Sequence, residues 1–378
     1  MRLLSKIEDI SAYAEINKHK VKDLMVEGVI PAIINESTNR NFFYTTDTLI
    51  DFAAKRISKL KNIECENNRD IFLYEDLNSD LFKSSGNCLV YSVTNQKGGV
   101  AKTSISVNLA ATLALLGQRV LLIDMDSQAQ SSRYLNEELY TNKSIVNVLL
   151  ELMQNGNITK EFVEKYIIRN EVVNGKYIDI LPSELRLSKI LELCRSVSMP
   201  HTLVKKIIDT IKDSYDMVIC DLPPNSGISI EMALYASDKV IFATDCDKFA
   251  REGIEVTLEG ISNYNEVVNK DLVIDTCFIS KYNKNARVHN TVRDETIKIL
   301  SNNGISKEDI RTIPFNLIIP ESQHQLYALI GFFQKENYSA KSDTVNYSST
   351  ISQAILANEH FFDYAIKMIN DKEKKYIR

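Results

Sequence analysis

Residues 88–124 decide the fold: CLVYSVT (88–94), the loop NQKGGVA (95–101), the segment KTSISVNLAATLALLG (102–117) and RVLLID (119–124). The first and last of these are short, continuously apolar runs. Such runs read as strands buried on both faces, the mark of a parallel sheet covered by helices. SISVNLAATLALLG (104–117) is rich in good helix formers and is stopped by Gly117. Strand, glycine-containing loop, helix and second strand therefore follow in immediate succession, and together they form one βαβ unit.

The loop carries chemistry. Gly98 and Gly99 let the backbone curl so that successive N–H groups point inward, and the next helix aims its N-terminus at the same space. Lys102 can reach the β- and γ-phosphates of a nucleotide as a point charge, and Thr103, followed by Ser104, can offer a hydroxyl to Mg²⁺. The pattern departs from G-x-x-x-x-G-K-[ST]: Gly98 holds the first glycine position only in a shortened register, and Ala101 stands where glycine usually precedes the lysine. A Cβ at position 101 is compatible with right-handed helical backbone and harmful only if φ must be positive.

Outward from this unit, further strands are expected at 177–181, 217–221, 239–244, 272–279 and 310–314. Helices are expected at 144–154, 185–196, 201–213, 229–236, 252–269 and 288–302. The alternation predicts an α/β fold with a mostly parallel, doubly wound sheet. The tail 335–348 reads as loop and 349–374 as a last helix. Residues 1 to about 85 have a different texture, Lys- and Asn-rich with few β-branched runs. Residues 5–27 read as one helix, closed off by Pro31, and 44–60 as a second, with Thr45 or Thr46 as N-cap.

The 378 residues carry 45 basic and 50 acidic side chains, net −5, which excludes nucleic-acid binding by overall charge and leaves room for a local basic patch. Six scattered cysteines without a C-x-x-C pair argue against a zinc or iron–sulfur site and suit free thiols in a reducing cytosol. No apolar run approaches a membrane span, and the start of the chain lacks an apolar signal core, so a soluble cytoplasmic protein is expected.

With these segments together, the chain resembles the ParA/MinD family of deviant Walker A ATPases. NQKGGVAKTS (95–104) is similar to its phosphate loop, LLIDMDSQAQSS (121–132) to its second motif, VICDLPPN (218–225) to its Walker B strand and TIPFNLIIPES (312–322) to its adenine-side segment. The resemblance covers roughly residues 88–335, and the added N-terminal stretch is similar to that of long ParA partition proteins. It implies a P-loop ATPase domain over 87–335, preceded by an N-terminal, possibly dimerising helix over 1–30 and a winged helix-turn-helix over 31–86, and followed by a helical tail over 336–378. It implies slow ATP hydrolysis to ADP with Mg²⁺, and a homodimer that sandwiches nucleotide. It also implies non-specific DNA binding on the nucleoid, possible operator binding, and a ParB-like centromere-binding partner.

The resemblance further implies residue roles. Lys97 is the signature lysine that crosses to the partner subunit's phosphates. Val100 and Ala101 complete the loop, Asp126 positions the attacking water and touches the metal through water, and Asp221 holds Mg²⁺ through water. Pro314 and Phe315 lie by the adenine. Basic DNA-contact candidates are Arg251, Lys281, Lys284, Arg287, Arg293 and Lys298 in the ATPase part and Lys55 and Arg56 in the N-terminal part, although residues 1–86 hold 12 basic and 14 acidic side chains. Two other readings stay open. One is a MinD-like membrane-cycling ATPase, because Phe361, Phe362, Tyr364, Ile366, Met368 and Ile369 precede Lys372, Lys374 and Lys375. The other is an ATP-responsive transcriptional regulator with weak turnover.

Overall fold

The computed structural model describes residues 3–4, 7–35, 42–61, 71–72, 88–135, 143–173, 175–224, 227–247, 250–268, 271–315 and 359–375. The expected loop at 335–348 and residues 316–322 of the adenine-side segment lie outside the described residues.

The larger part of the described chain is built on an eight-stranded sheet. In chain order its strands are β4 (Leu89–Thr94), β5 (Val120–Asp124), β6 (Ile168–Val173), β7 (Lys176–Leu181), β8 (Met217–Asp221), β9 (Lys239–Asp245), β10 (Ile274–Tyr282) and β11 (Ile310–Pro314). They lie in the order β11-β10-β9-β4-β8-β5-β7-β6, parallel throughout except for β6, which is antiparallel to β7. β4, β5 and β8 are buried at every position. That is why they read as unbroken apolar runs. The chain order reverses around β4, and the C-terminal ends of β4, β5 and β8 open on the crevice where doubly wound sheets take ligands. The edge strand β6, with the polar sequence IRNEVV, was not foreseen.

The helix after β4 runs Lys102–Leu115 and is buried at nearly every position, covering one face of the sheet. On its outer side lies the last helix, Glu359–Lys375; the expected start at 349 falls outside the described residues. Phe361, Phe362, Tyr364, Met368 and Ile369 are all buried in the main core, with Phe361 stacked on Phe278 at 5.5 Å. Tyr364 donates to Asp275 at 2.8 Å, and Lys372 reaches Asp216 at 3.1 Å. The apolar face that suggested a membrane helix is therefore spent on the protein core. Among the described residues no helix is long and apolar enough to cross a membrane.

The N-terminal part corrects two expectations. Residues 5–27 are not one helix but two, α1 (Ile7–Ala14) and α2 (Lys18–Val26). The break is Glu15, at φ 59°, and Asn17 then caps α2 by accepting from the Lys20 N–H at 2.9 Å. The second expected helix is preceded by strand. β2 (Ile33–Asn35) and β3 (Phe42–Thr46) pair antiparallel, β1 (Leu3–Leu4) pairs with the other side of β3, and α3 starts at Asp47 and ends at Lys61. Thr46 accepts from the Leu49 N–H, so the capping threonine is the second of the two proposed. One apolar cluster joins Leu4, Ile10, Val21 and Ile30 to Ile50, Ile57 and Phe72, which packs residues on both sides of position 30 together.

α3 is buried on two sides. Ile50, Ala53, Ala54 and Ile57 face the N-terminal cluster, while Leu49 and Phe52 enter the main core beside the eight-stranded sheet. Arg56 is only 8 % exposed and donates to the Leu116 carbonyl at 3.3 Å, just beyond the end of helix 102–115. This is a correction: Arg56 is turned into the protein and is not presented to DNA. Lys55 remains exposed.

Candidate functional site: a phosphate loop over a buried carboxylate

The loop between β4 and helix 102–115 is anchored at its base. Asn95, fully buried, donates to the Ala243 carbonyl on β9 at 2.6 Å and accepts the Lys97 N–H at 2.8 Å. Gly99 needs its φ of +74°, where a side chain is rarely tolerated. Ala101 is a correction: at φ 71°, ψ 23° it is left-handed, the very conformation in which its methyl is costly. An L-residue there stores about 1–2 kcal/mol, and a β-branched one more. Ala101→Val should therefore lower stability by about 1–2 kcal/mol, whereas Ala101→Gly should stay within about 1 kcal/mol of the wild type, relief of strain offsetting glycine's entropy. Thermal unfolding of both variants checks this, and equal melting temperatures for valine and alanine would contradict the strained-loop account.

At the helix start Lys102 is 7 % exposed and its ammonium donates to the Lys97 carbonyl at 3.1 Å. Burial lowers its pKa, against the opposing charges of Asp221 and Asp126. Beneath it, Asp221 at the end of β8 accepts from Thr103 at 2.8 Å, from Ser106 at 2.9 Å, and from Ser131. Burial raises its pKa even though these three hydroxyls and Lys102 stabilise the anion. Asp124, its register partner on β5, is also fully buried; burial and the charge of Asp221 push it up to about 7, despite hydrogen bonds from Ser132. Two carboxylates side by side in a dry site cannot both ionise cheaply. Asp126 follows on the loop after β5, half-buried, and accepts the Gln128 N–H at 2.9 Å.

Lys102 and Asp126 line a cavity of about 490 Å³ together with Gly98, Gly99, Ala101, Thr103 and Ser104 of the loop and with Pro314 and Phe315, while Asp221 lies behind Thr103. Phe315 is 59 % exposed, and its N–H is tied to the Tyr282 carbonyl at 2.7 Å. Val100 is buried behind the loop. Lys97 is not among the lining residues. Its ammonium pairs instead with Asp245 at 2.9 Å and Asp247 at 3.0 Å within the same chain. Burial works against the charged form, but the hydrogen bonds and charges of these two aspartates outweigh it and raise the Lys97 pKa. The sequence offered no sign of these partners.

The basic candidates of the ATPase half separate into two groups. Lys284, Arg287 and Lys298 are exposed on and before helix 287–302. Arg293 is engaged with Asp294 at 2.7 Å and with the Tyr282 hydroxyl. Lys281 bends back to the phosphate loop, donating to the Gly99 carbonyl at 2.6 Å. Arg251 lies in helix Ala250–Val268, and its side chain falls outside the described residues.

Comparison with known proteins identifies the family of the chain. An AAA domain family model matches residues 89–274. The sporulation initiation inhibitor protein Soj of Bacillus subtilis is 32 % identical over 188 residues, covering 49 % of this chain and 70 % of that protein. The chain belongs to the ParA/Soj family of partition ATPases. A further member, the chromosome partitioning protein ParA of Myxococcus xanthus, is 26 % identical over 234 residues, 62 % of this chain and 75 % of that one. In fold the chain is similar to the cobyrinic acid a,c-diamide synthase of Mycobacterium smegmatis crystallised with ADP and magnesium: TM-score 0.52 at 23 % identity, over 63 % of this chain and 92 % of that one. Residues 1–88 precede the part of this ParA/Soj chain that the family model matches.

Proposed function

We propose that this ParA/Soj-family chain binds ATP with Mg²⁺ in the 490 Å³ cavity, closes into a homodimer that holds DNA non-specifically on the nucleoid, and lets go when a ParB-like centromere-binding partner stimulates hydrolysis. The observation that carries this is the convergence of Lys102 and Thr103, at the start of helix 102–115, with Asp221 at the end of β8 and Asp126 just beyond the adjacent β5. The donor set fits Mg²⁺. Thr103 would offer a hydroxyl and Asp221 a hard carboxylate, and the crowding of Asp221 against Asp124 would favour a divalent cation beside them. Among the described residues no three His, Cys, Asp or Glu side chains group to hold a metal. The ion, when bound, neutralises charge on the phosphate oxygens.

In hydrolysis the side chains position and stabilise; none attacks. Lys102 holds the β- and γ-phosphates, Asp126 orients the attacking water, and Pro314 and Phe315 flank the base. Lys97, released from Asp245 and Asp247, supplies a cation to the partner subunit's nucleotide, as an arginine finger does. The exposed Lys284, Arg287 and Lys298 are the proposed DNA-contact cations of the ATPase half, and Arg251 is a further candidate by sequence.

The N-terminal unit is proposed to be a winged helix-turn-helix reading an operator. The support is the two-helix geometry: a three-residue turn with left-handed Glu15, buried Ile10, Ala14, Ile16, Val21 and Leu24 locking α1 to α2, and exposed Lys18, His19 and Lys22 at the start of α2. The β2–β3 hairpin is the wing. This places the reading helix at 18–26 and leaves Lys55, in the helix expected at 44–60, as a flanking phosphate contact.

The test is a titration of non-specific duplex DNA with ATP, ADP or no nucleotide, using wild type and Lys102→Ala. Wild type with ATP is expected to bind at least about tenfold tighter than the other states, with affinity falling steeply as salt rises. Equal binding in all three states would overturn the proposal.

A further inference from the structure

We infer that Lys281 is a positioning residue of the nucleotide site, holding the phosphate loop from behind, and not a DNA contact. The inference rests on the reading of the cavity as a nucleotide site and extends it to a residue on a different strand.

The sequence groups Lys281 with the basic run 281–298, whose other members lie on or beside helix 287–302. The geometry separates it. β10 pairs with β11 in regular register up to Ile279↔Thr312 and resumes at Tyr282↔Pro314, so Ser280 and Lys281 together face a single residue of the partner strand. This is a β-bulge, and Lys281 takes a left-handed φ of 57° in it. Bulges re-aim side chains, and a non-glycine residue held at positive φ needs surroundings that over-determine it.

The surroundings here are the phosphate loop. The Lys281 ammonium donates to the Gly99 carbonyl at 2.6 Å, and the Ser280 hydroxyl lies 3.2 Å from the Val100 carbonyl and 3.0 Å from that of Thr244. Two consecutive loop carbonyls are thus turned toward the bulge. Because each peptide is planar and trans, the N–H groups of Val100 and Ala101 lie on the opposite side of their planes. Such N–H groups are what a phosphate loop offers an anion. Lys281 also lines the cavity beside Pro314 and Phe315, so its charge is felt by a polyanion there. One side chain therefore shapes the loop and adds positive potential, with no need to touch the reacting atoms.

The experiment uses the full chain with Lys281→Met, which keeps the stem and removes the charge, and Lys281→Arg, which keeps the charge. Binding of ADP and of a non-hydrolysable ATP analogue is titrated for each, followed by KM and kcat, and by duplex DNA binding at saturating nucleotide. Loss of a charged hydrogen bond predicts about tenfold weaker nucleotide binding for Lys281→Met. KM should rise in parallel, kcat should stay within about twofold, and DNA affinity at saturating nucleotide should be unchanged. Lys281→Arg should recover most of the nucleotide affinity. Unchanged nucleotide affinity in Lys281→Met overturns the inference, as does weakened DNA binding at saturating nucleotide. A fall in both kcat and melting temperature that Lys281→Arg fails to rescue also overturns it, in favour of a purely structural lysine. If wild type itself bound no adenine nucleotide, the reading of the cavity would fall first.

Discussion

Lys102→Ala is expected to abolish detectable nucleotide binding, raising Kd for ATP and ADP by about 100-fold or more, which corresponds to about 2.7 kcal/mol. Burial is the cause. The ammonium is held at the floor of the cavity with one carbonyl partner and two carboxylates nearby, and its pKa is lowered because water has been taken from it. A desolvated cation facing a triphosphate contributes more than an exposed one, since less hydration is lost on binding and the local dielectric is low. The protein without nucleotide should lose little stability, because relief of the lysine's unfavourable burial offsets loss of the charge it presents to Asp221. The readout is ligand-induced stabilisation: at 100 times Kd the wild type gains about 2.7 kcal/mol, a rise of about 5–10 °C for a domain of this size. Lys102→Ala should show no such rise. A wild-type-sized shift in the variant would remove Lys102 from the phosphate site.

The parts of this account legible in sequence are those that local chemistry dictates. β4, the loop, helix 102–115, β5 and β8 lie within a residue or two of their sequence readings, because buried strands and a capped helix carry their own patterns. β6 escaped because half its residues are polar, as an edge strand permits. The break at Glu15 escaped because no glycine or proline marks it; Asn17 was the available signal, placed three residues before the N–H it caps. α3 had a clue as well. Apolar residues at 49, 50, 52, 53, 54 and 57 wrap more than one face, which fits a helix wedged between two cores better than one lying open on DNA. Long-range partners left no trace. Lys97 meets Asp245 across 148 positions, and Lys281 meets Gly99 across 182. The left-handed backbone of Ala101 was invisible for a related reason: the residue type that usually announces it is absent.

Lys97→Ala should separate binding from turnover in the opposite sense to Lys102→Ala. In the single chain the Lys97 ammonium is occupied by Asp245 and Asp247 and lies away from the cavity lining, so removing it should leave nucleotide affinity within about twofold of wild type. Turnover needs that charge elsewhere. A cation supplied across a subunit interface to a transferring phosphoryl group contributes about 10³–10⁵ in rate, and the variant should lose hydrolysis by at least about 10³-fold. The ion pairs also carry a cost: to cross, the lysine must leave two carboxylates, so dimer closure is paid partly in broken salt bridges. Rising ionic strength weakens the half-exposed pair with Asp247 more than the buried pair with Asp245. Single-turnover hydrolysis with labelled ATP, beside equilibrium nucleotide binding on the same preparations, reads both quantities. Wild-type turnover in Lys97→Ala would mean that this lysine stays with its own aspartates throughout the cycle, and the charge in the dimer would have to come from another side chain.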